Sequence, residues 1–265
     1  MKEAIKNIEL FNQLLNKYLN KDYLNNADRL IRDYRNFIEN KKLYFIEKDD
    51  NLFFLEDCIE FYNLYYFISK INTSVDIVDL NFEKTIVADI IYIENNLDEA
   101  VPILIKLGFG KYLTRNYQTL KLSQKNVELN SRIKFSAKED VDFIFEMQAK
   151  YIDKYTGNIL SKEDLLRATE NNLILSIYES NNCAGYLRFT INKKNIFLEG
   201  IAVDRKFRGK GYAKELVQYF IDYFSKEGYN KIDLWVRDDN ISALKLYEFF
   251  NFKNTKYKCD NYIKY

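Results

Sequence analysis

Two glycines at a strand–helix junction carry the clearest chemical signal in this sequence. The segment 201–217 reads IAVDRKFRGKGYAKELV, and Gly209 and Gly211 lie between an apolar run and an amphipathic run. Glycine lets backbone amides turn toward one point without interference from a Cβ atom. A helix that begins there adds unpaired amides and the positive end of its dipole. The junction therefore predicts a binding site for an anion such as pyrophosphate, with Arg208 and Lys210 adding positive charge at its rim.

The segment differs from two well-known phosphate-binding motifs. A P-loop requires the pattern G-x-x-x-x-G-K-[ST], which this sequence does not contain. A Rossmann fingerprint requires a third glycine at the position of Lys214. Because short glycine motifs are common, the segment by itself also fits an ordinary glycine turn before a helix.

A second motif, about thirty residues farther along the chain, makes the pattern specific. The sequence R-G-K-G-Y-A at 208–213 resembles the Q/R-x-x-G-x-G/A signature of the GNAT acyltransferase superfamily, and LEGIAVD before it resembles the family's fourth strand. The segment 237–252, RDDNISALKLYEFFNF, is similar to the family's next signature, N-x-x-A-x-x-L-Y-x-x-x-G-F. The residues at matching positions are Asn240, Ala243, Leu246, Tyr247 and Phe252. Asn251 replaces the usual glycine, and asparagine also adopts the left-handed conformation.

The resemblance covers about half of the chain and implies how acetyl-CoA, the family's co-substrate, would bind without a metal ion. Backbone groups of Ile201, Ala202 and Val203 would pair with the pantetheine arm. The backbone amides that would hold the pyrophosphate belong to Arg208, Gly209, Lys210, Gly211, Tyr212 and Ala213. The side chain of Asn240 would touch the coenzyme arm, and Tyr247 would point at the thioester sulfur.

Two side chains are candidates for proton transfer in such a reaction. Tyr247 is the candidate donor to the leaving sulfur, although one of 22 tyrosines can also serve only in packing. Glu199 is the candidate base, or the holder of a relaying water, because this family often places a carboxylate two residues before Ile201. By alternation, Glu199 shares a strand face with Phe197, Ile201 and Val203. The other interpretation of Glu199 is a surface carboxylate paired with a lysine. The chain has no histidine, which excludes a histidine base.

Composition limits the remaining classes of function. The chain has 265 residues, enough for two domains, and its 40 basic and 39 acidic residues are interleaved. We expect no nucleic-acid partner because no basic stripe is present, and no membrane partner because no apolar run approaches the roughly 20 residues of a span. A cytoplasmic location is the expectation. Three widely spaced cysteines predict free thiols, and Cys183 and Cys259 lack the histidine partner that an acyl-carrying nucleophile needs.

Hydrophobic periodicity predicts the elements that position the motifs in the C-terminal half. It favours a strand at 132–136, helices over 138–155 and 161–171, an antiparallel pair of strands at 173–191 and a further strand at 195–204. A helix follows the glycine turn, then a strand, a helix over 241–252 and a closing strand or hairpin. The polar segment 123–132 predicts a boundary between an N-terminal α/β domain, residues 1–126, and a catalytic GNAT domain, residues 131–265. The fold class is α/β (α+β), a mixed and mostly antiparallel sheet flanked by helices.

The N-terminal half predicts a second α/β domain. Helices are expected over 3–20 and after Asn26 as a cap, a hairpin at 43–56, a strand at 85–93, a helix over 97–109 and a strand at 112–122. The aromatic run 59–69 fits a strand or a buried helix, and it fits the protein core better than a ligand cage.

The end of the N-terminal half repeats an order of residues found in the second half. Aligning Phe109 with Phe252 pairs Ala100 with Ala243 and Leu104 with Tyr247. One hypothesis is a degenerate GNAT-like copy that has lost coenzyme binding and helps to form the acceptor site. The other is an unrelated α/β domain, because strand–helix–strand patterns recur by chance.

These features together predict an enzyme that moves an acyl group, most simply acetyl, from coenzyme A to a primary amine of a small molecule or a peptide. The transfer would occur by direct attack in a ternary complex of a monomer or homodimer. An alternative is a non-catalytic GNAT module that senses acyl-CoA or acts as a scaffold. A ligase that uses aminoacyl-transfer RNA fits the tandem layout, but it conflicts with the intact coenzyme signature and the missing basic stripe.

Overall fold

The computed structural model describes residues 2–70, 82–94, 99–124 and 132–265. The chain divides into two compact units: unit 1 is Met1–Arg115 with Lys256–Tyr265, and unit 2 is Asn116–Thr255. This division differs from the predicted one, because residues 116–124 belong to unit 2 and the last ten residues belong to unit 1. Most of the predicted boundary segment, 125–131, lies outside the described residues.

In its described residues, unit 1 combines a mainly antiparallel sheet with three helices. Its elements are β1 (Glu3–Ala4), α1 (Ile8–Tyr18), β2 (Tyr23–Asn25), α2 (Asp28–Glu39), β3 (Leu43–Lys48), β4 (Asn51–Asp57), β5 (Phe61–Ser69), β6 (Thr85–Ile93), α3 (Val101–Lys106), the first half of β7 (Gly110–Lys121) and most of the last strand, β13 (Lys253–Lys264). The strands follow the order β1, β3, β4, β5, β6, β13. The predicted hairpin at 43–56 is confirmed as β3 and β4.

The aromatic run 59–69 forms strand β5, and its side chains fill the core on both faces of the sheet. Tyr62, Leu64 and Tyr66 pack in one apolar cluster, which includes α3. Tyr65 and Phe67 pack in the opposite cluster with α1 and α2. Because both faces are buried, polarity does not alternate along the strand, and periodicity alone could not separate strand from buried helix.

The parallel strands β5 and β6 separate after four residue pairs, and β2 fills the space between them. Pairing joins residues 61–64 of β5 with residues 85–88 of β6. Strand β5 then continues to Ser69 and pairs antiparallel with β2, from Tyr23 opposite Ser69 to Asn25 opposite Phe67. The opening between these two strands is therefore occupied by the chain itself.

Asn26, directly after β2, ties the separated strands together. Its Nδ2 donates to Leu64 O and Asp89 O, both at 3.0 Å, and its Oδ1 accepts from Tyr66 N at 2.8 Å. The prediction that Asn26 caps the second helix is wrong, because the residue before α2 is Ala27 and it gives no side-chain cap. The side chain instead satisfies strand groups that the diverging sheet leaves unpaired.

Strand β13 completes the sheet of unit 1. It pairs antiparallel with β6 over eight residues, from Tyr257 opposite Ile93 to Lys264 opposite Ile86. The Asp89 carboxylate accepts hydrogen bonds from Asn261 of β13 and from Arg115 of β7, the latter at 2.6 Å. This pairing is the physical reason that the last residues of the chain belong to unit 1.

Unit 2 is built around a sheet with helices on both faces. Its elements are the second half of β7, β8 (Ile133–Phe135), α4 (Val141–Tyr151), α5 (Lys162–Glu170), β9 (Ile174–Glu179), β10 (Asn182–Asn192), β11 (Asn195–Val203), α6 (Tyr212–Lys226), β12 (Lys231–Arg237) and α7 (Ile241–Phe249). The order is β7, β12, β11, β10, β9, β8, in which β11 pairs in parallel with β12 and antiparallel with β10. Helices α6 and α7 cover one face, and α4 and α5 cover the other. The predicted mixed sheet flanked by helices is confirmed.

The two units end their β–α–β segments with the same hydrogen bonds. Phe109 N donates to Leu104 O, and Phe252 N donates to Tyr247 O, both at 3.0 Å. The preceding residues, Gly108 and Asn251, have φ values of +87° and +63°. The left-handed conformation expected for Asn251 is confirmed, and the geometry agrees with the alignment of Phe109 on Phe252.

Candidate active site

Strands β11 and β12 diverge and expose the backbone of β11. Their parallel pairing joins residues 195–198 with residues 231–234, whereas β11 runs on to Val203 and β12 to Arg237. On its other edge, β11 pairs with β10 as far as Val203 opposite Gly185. The predicted pantetheine-binding residues Ile201, Ala202 and Val203 lie in this divergent part. Their backbone groups on the β12 side are therefore in position to pair with an extended ligand.

A β-bulge lies on β11 at Glu199. Arg188 of β10 is opposite Gly200, while the next residue, Phe189, is opposite Leu198, so Glu199 is the extra residue. The bulge reverses the alternation of side chains: Leu198 and Val203 both pack on the α6 side. The prediction that Glu199 shares a face with Ile201 and Val203 is therefore wrong. β-bulges are common next to active sites, where they turn a side chain toward the other face of the sheet.

The glycine turn leads directly into the N-terminus of α6. Gly209 and Gly211 have φ values of +81° and +85°, which side chains rarely adopt, and a Cβ atom on either would project into open space. Gly211 is the residue before the helix and offers no side chain to cap it. Glu215 N makes the first helical bond, to Gly211 O at 3.1 Å. The amides of residues 212–214 thus precede the hydrogen-bonded helix, which is the arrangement that binds anions.

The side chains around this turn are partly engaged with one another. Lys210 forms an ion pair with Glu179 at 3.0 Å, and the buried Tyr212 donates to the same carboxylate at 2.7 Å. These donors lower the pKa of Glu179. The Arg208 Nε donates to Val203 O at 3.1 Å, and its guanidinium lies 4.4 Å from the centre of the Tyr151 ring. Lys210 therefore offers its amide, while its charge is balanced by Glu179.

Tyr247 lies in the core between α7 and the sheet. It is 5% exposed and packs against Phe252. Its hydroxyl makes no hydrogen bond to the described residues, and burial raises the pKa of Tyr247. The hydroxyl oxygen itself is not fully enclosed, so this placement leaves it able to meet a ligand group as a proton or hydrogen-bond donor.

Asn240 caps α7. Its Oδ1 accepts from Ala243 N at 3.1 Å and from Ser242 Oγ at 3.0 Å. Removing such a cap typically costs about 1 kcal/mol of helix stability. The side-chain oxygen of Asn240 is thus engaged in the helix, and its amide nitrogen is the group that could reach a coenzyme arm.

Glu199 is half-buried and faces the loop between α4 and α5. Its Oε1 accepts from Thr190 Oγ1 at 2.9 Å, and its Oε2 accepts from Asn158 Nδ2 at 3.2 Å. The other interpretation of Glu199, a carboxylate paired with a lysine, does not hold within the described part of the chain, where its partners are a hydroxyl and an amide. The carboxylate can accept a proton or orient a water molecule.

Sequence reasoning missed two charged groups near Glu199. Arg188 is 5% exposed on β10 and donates to Asn158 O at 2.7 Å, and Arg237 at the end of β12 pairs with Asp153 at 3.2 Å. The signal for Arg188 was available, because it is the one charged residue in the apolar run AGYLRFTI. A charged residue in a buried strand normally has a partner of opposite charge, so its presence indicates a specific interaction.

Aromatic side chains line the same face of the sheet beside Glu199. Tyr117 of β7 lies 4.8 Å from Trp235 of β12 and 6.3 Å from Phe197 of β11, measured between ring centres. All three are half-buried. Burial, with the neighbouring Asp233, raises the pKa of Tyr117. These rings form an apolar wall that we call the aromatic wall.

The thiols play no visible part in the site. Burial raises the pKa of Cys183 to about 11 and that of Cys58 and Cys259 to about 12, so they are protonated at neutral pH. Within the described ranges, no group of three or more Cys, Asp or Glu side chains is arranged to hold a metal ion. No helix in the same ranges is long and apolar enough to cross a membrane.

Residues 140–252 match the sequence model of the acetyltransferase (GNAT) family. A stretch of 66 residues is 33% identical to human N-acetyltransferase 8B, covering 25% of this chain and 29% of that protein. The chain thus spans less than a third of the length of this relative.

Two solved structures resemble the whole chain in fold. One is a GCN5-related N-acetyltransferase from Sphaerobacter thermophilus, with a TM-score of 0.64 at 14% identity, covering 100% of this chain and 95% of that one. The other is a tandem GNAT protein from the clavulanic acid biosynthesis pathway, with a TM-score of 0.60 at 10% identity, covering 100% and 98%. At such identities the likeness concerns the fold alone. Residues 140–252 form a GNAT domain.

Proposed function

We propose that unit 2 binds acetyl-CoA and transfers its acetyl group to a primary amine. The observation that carries this proposal is the joint presence of a divergent β11–β12 pair and an uncapped helix N-terminus that begins at Gly211. An extended pantetheine arm fits the free edge of residues 199–203, and a pyrophosphate fits the amides that lead into α6. The unpartnered hydroxyl of Tyr247 supports a donor near the thioester.

Unit 1 is proposed to be a degenerate copy that binds no coenzyme. Its parallel strands β5 and β6 separate after four pairs, as β11 and β12 do. In unit 1 the opening is filled by β2 and by the three hydrogen bonds of Asn26. Leu104 also stands where unit 2 has Tyr247. One coenzyme per chain is therefore expected.

The proposed chemistry uses positioning and two proton transfers. The neutral amine nitrogen attacks the thioester carbonyl carbon, the C–S bond breaks, and the sulfur leaves as a thiolate that takes up a proton. The Tyr247 hydroxyl is the proposed donor to the sulfur, and Glu199 is the proposed acceptor of the amine proton, directly or through a water molecule. Holding both reactants in one site supplies much of the rate.

Calorimetry with acetyl-CoA, followed by a thiol-release assay with a panel of amines, tests this function. We expect one binding site per chain and coenzyme A release that depends on an added amine. Binding without release for any amine would favour the non-catalytic sensing module. A lack of binding at millimolar ligand would contradict the proposal.

Replacing Tyr247 by Phe is expected to lower kcat about 100-fold, because the leaving thiolate loses its donor. The KM for acetyl-CoA should change little. Because burial raises the pKa of Tyr247, the hydroxyl stays protonated at alkaline pH, and the loss should be the same at about pH 7 and pH 9. Steady-state kinetics at both values measure this. Tyr223→Phe, on α6, is the control, and an equal loss in both variants would assign Tyr247 to packing.

A further inference from the structure

Arg188 is a buried cation that the chemistry described above does not use. It lies on the sheet face covered by α4 and α5, beside Tyr186. One guanidinium nitrogen donates to Asn158 O at 2.7 Å, and the described residues offer its other N–H groups no acceptor within hydrogen-bond distance. A guanidinium has five N–H donors, so most of this capacity is unused. Since buried cations normally pair with anions, Arg188 is suited to an anionic group of a ligand.

Glu199 lies next to Arg188 and carries the opposite charge. Arg188 is opposite Gly200 in the β10–β11 pairing, which places it beside the bulge. Asn158 contacts both groups: its carbonyl accepts from Arg188, and its amide donates to Glu199 at 3.2 Å. Each charged group is therefore held by neutral partners, and Asn158 is common to both. Such a pair is complementary to a ligand that carries an ammonium and a carboxylate on neighbouring atoms.

The loop that presents Asn158 is fixed by its own geometry. Asp153 Oδ1 accepts from Tyr155 N at 3.1 Å and from Thr156 N at 3.0 Å. Gly157 N donates to Asp153 O at 2.8 Å, and a Cβ atom on Gly157 would lie 2.6 Å from that oxygen, so the turn admits only glycine. A rigid loop holds the Arg188 and Glu199 groups in place before a ligand arrives, which reduces the entropic cost of binding.

Arg237, on the same face, is already paired with two carboxylates. Arg237 contacts Asp153 at 3.2 Å and Asp239 at 2.6 Å. Beside it stands the aromatic wall of Tyr117, Phe197 and Trp235. Sites for small molecules combine such apolar walls with a few placed polar groups that fix orientation. The face thus offers the Arg188 guanidinium, the Glu199 carboxylate and an apolar surface.

We propose that the acceptor is a free α-amino acid with an apolar or aromatic side chain. Its carboxylate pairs with Arg188, its amino group lies at Glu199, and its side chain packs on the aromatic wall. This inference rests on the proposed function and adds the class of acceptor to it. A peptide N-terminus has a neutral amide in place of the carboxylate and is disfavoured by the buried cation.

Matched acceptors test this assignment. We would measure kcat/KM by thiol release for L-phenylalanine, L-phenylalaninamide and phenethylamine, with leucine and tryptophan as further acids. For the wild type, the acid should exceed its amide and the amine at least about tenfold, the effect of a hydrogen bond to a charged group. In Arg188→Gln the acid should lose that advantage while phenethylamine is little affected. The Kd of Arg188→Gln for acetyl-CoA, measured by calorimetry, should equal that of the wild type.

Two further variants separate recognition from folding. Arg188→Lys keeps the charge and should retain part of the preference for the acid, and Arg167→Gln, an exposed arginine on α5, should behave as wild type. If Arg188→Gln does not fold, the inference is still tested by two measurements. These are the ratio of kcat/KM for the acid to that for the amide in the wild type, and the same ratio in Arg188→Lys. Three outcomes would overturn the inference. The wild type could use acid and amide with equal kcat/KM, or it could turn over no acid although it binds acetyl-CoA. Arg188→Gln could also lose kcat/KM equally for all acceptors. A failure to bind acetyl-CoA would overturn the proposed function itself.

Discussion

Gly211→Asp is expected to abolish the stabilisation of the protein by acetyl-CoA. In the wild type, ligand at about 100 times its Kd should add roughly 2.7 kcal/mol to the free energy of unfolding, a Tm increase of roughly 5–10 °C for a unit of this size. The φ of Gly211 is +85°, and a side chain there points into open space in front of the helix amides. An aspartate would place a negative charge where the pyrophosphate is proposed to bind, and its carboxylate would compete for those amides.

Gly228 offers a matched control for this substitution. It lies just after α6, has a φ of +72° and also faces open space, so Gly228→Asp imposes a similar backbone strain away from the proposed site. Both variants should unfold at lower temperature than the wild type, since a left-handed non-glycine residue costs on the order of 1–3 kcal/mol. Only Gly211→Asp should lose the ligand-dependent shift. A shift in Gly211→Asp as large as in the wild type would place the coenzyme elsewhere.

Deleting residues 256–265 is expected to unfold the sheet of unit 1 at β6. The deletion removes eight residue pairs and the buried side chains of Tyr262 and Ile263. Burial of two such side chains alone is worth about 3–6 kcal/mol, a large part of the roughly 5–15 kcal/mol by which a domain is stable. The deletion also removes Asn261, whose side-chain amide donates to the Asp89 carboxylate. Asp89 is then left with Arg115, its ion-pair partner at 2.6 Å.

Hydrogen exchange resolved to residues 85–93 measures this effect. The amides of β6 should be protected in the full chain and exchange rapidly in the truncated one. A synthetic peptide of residues 256–265 should restore part of the protection when added in excess. Tyr265→Ala removes only a side chain that is 83% exposed and should behave as wild type. Unchanged protection of β6 in the truncated chain would contradict the assignment of β13 to unit 1.

Local patterns in the sequence predicted most elements and the position of the coenzyme motif. Helix α6 has an apolar face with a helical period, and the glycines before it need a conformation that other residues rarely adopt. Ser161 precedes α5, and its side chain accepts from Asp164 N as a helix cap. Such signals are local, because the residues that carry them lie within one or two turns of the element that they define.

The features that could not be predicted depend on pairing between distant segments. The bulge at Glu199 exists only in the register between β10 and β11, and one extra residue reverses every side chain beyond it. Asn26 carries a good capping side chain, but its three partners lie 38 to 63 residues away and outweigh the local role. Because these contacts are set by the folded sheet, the spacing of residues along the chain does not reveal them.

The pairing of β13, near the end of the chain, with β6 of unit 1 also constrains the order in which the two units can fold during synthesis. Strand β6 leaves the ribosome early, yet its partner β13 is made only after all of residues 116–255. From the end of β6 at Ile93 to the first paired residue of β13 at Tyr257, synthesis takes about 8–33 s at roughly 5–20 residues per second. During this time the edge of β6 is available to other unpaired strands. The nascent chain therefore passes through a stage at which a chaperone, or slow translation of the later segment, would decide between folding and aggregation.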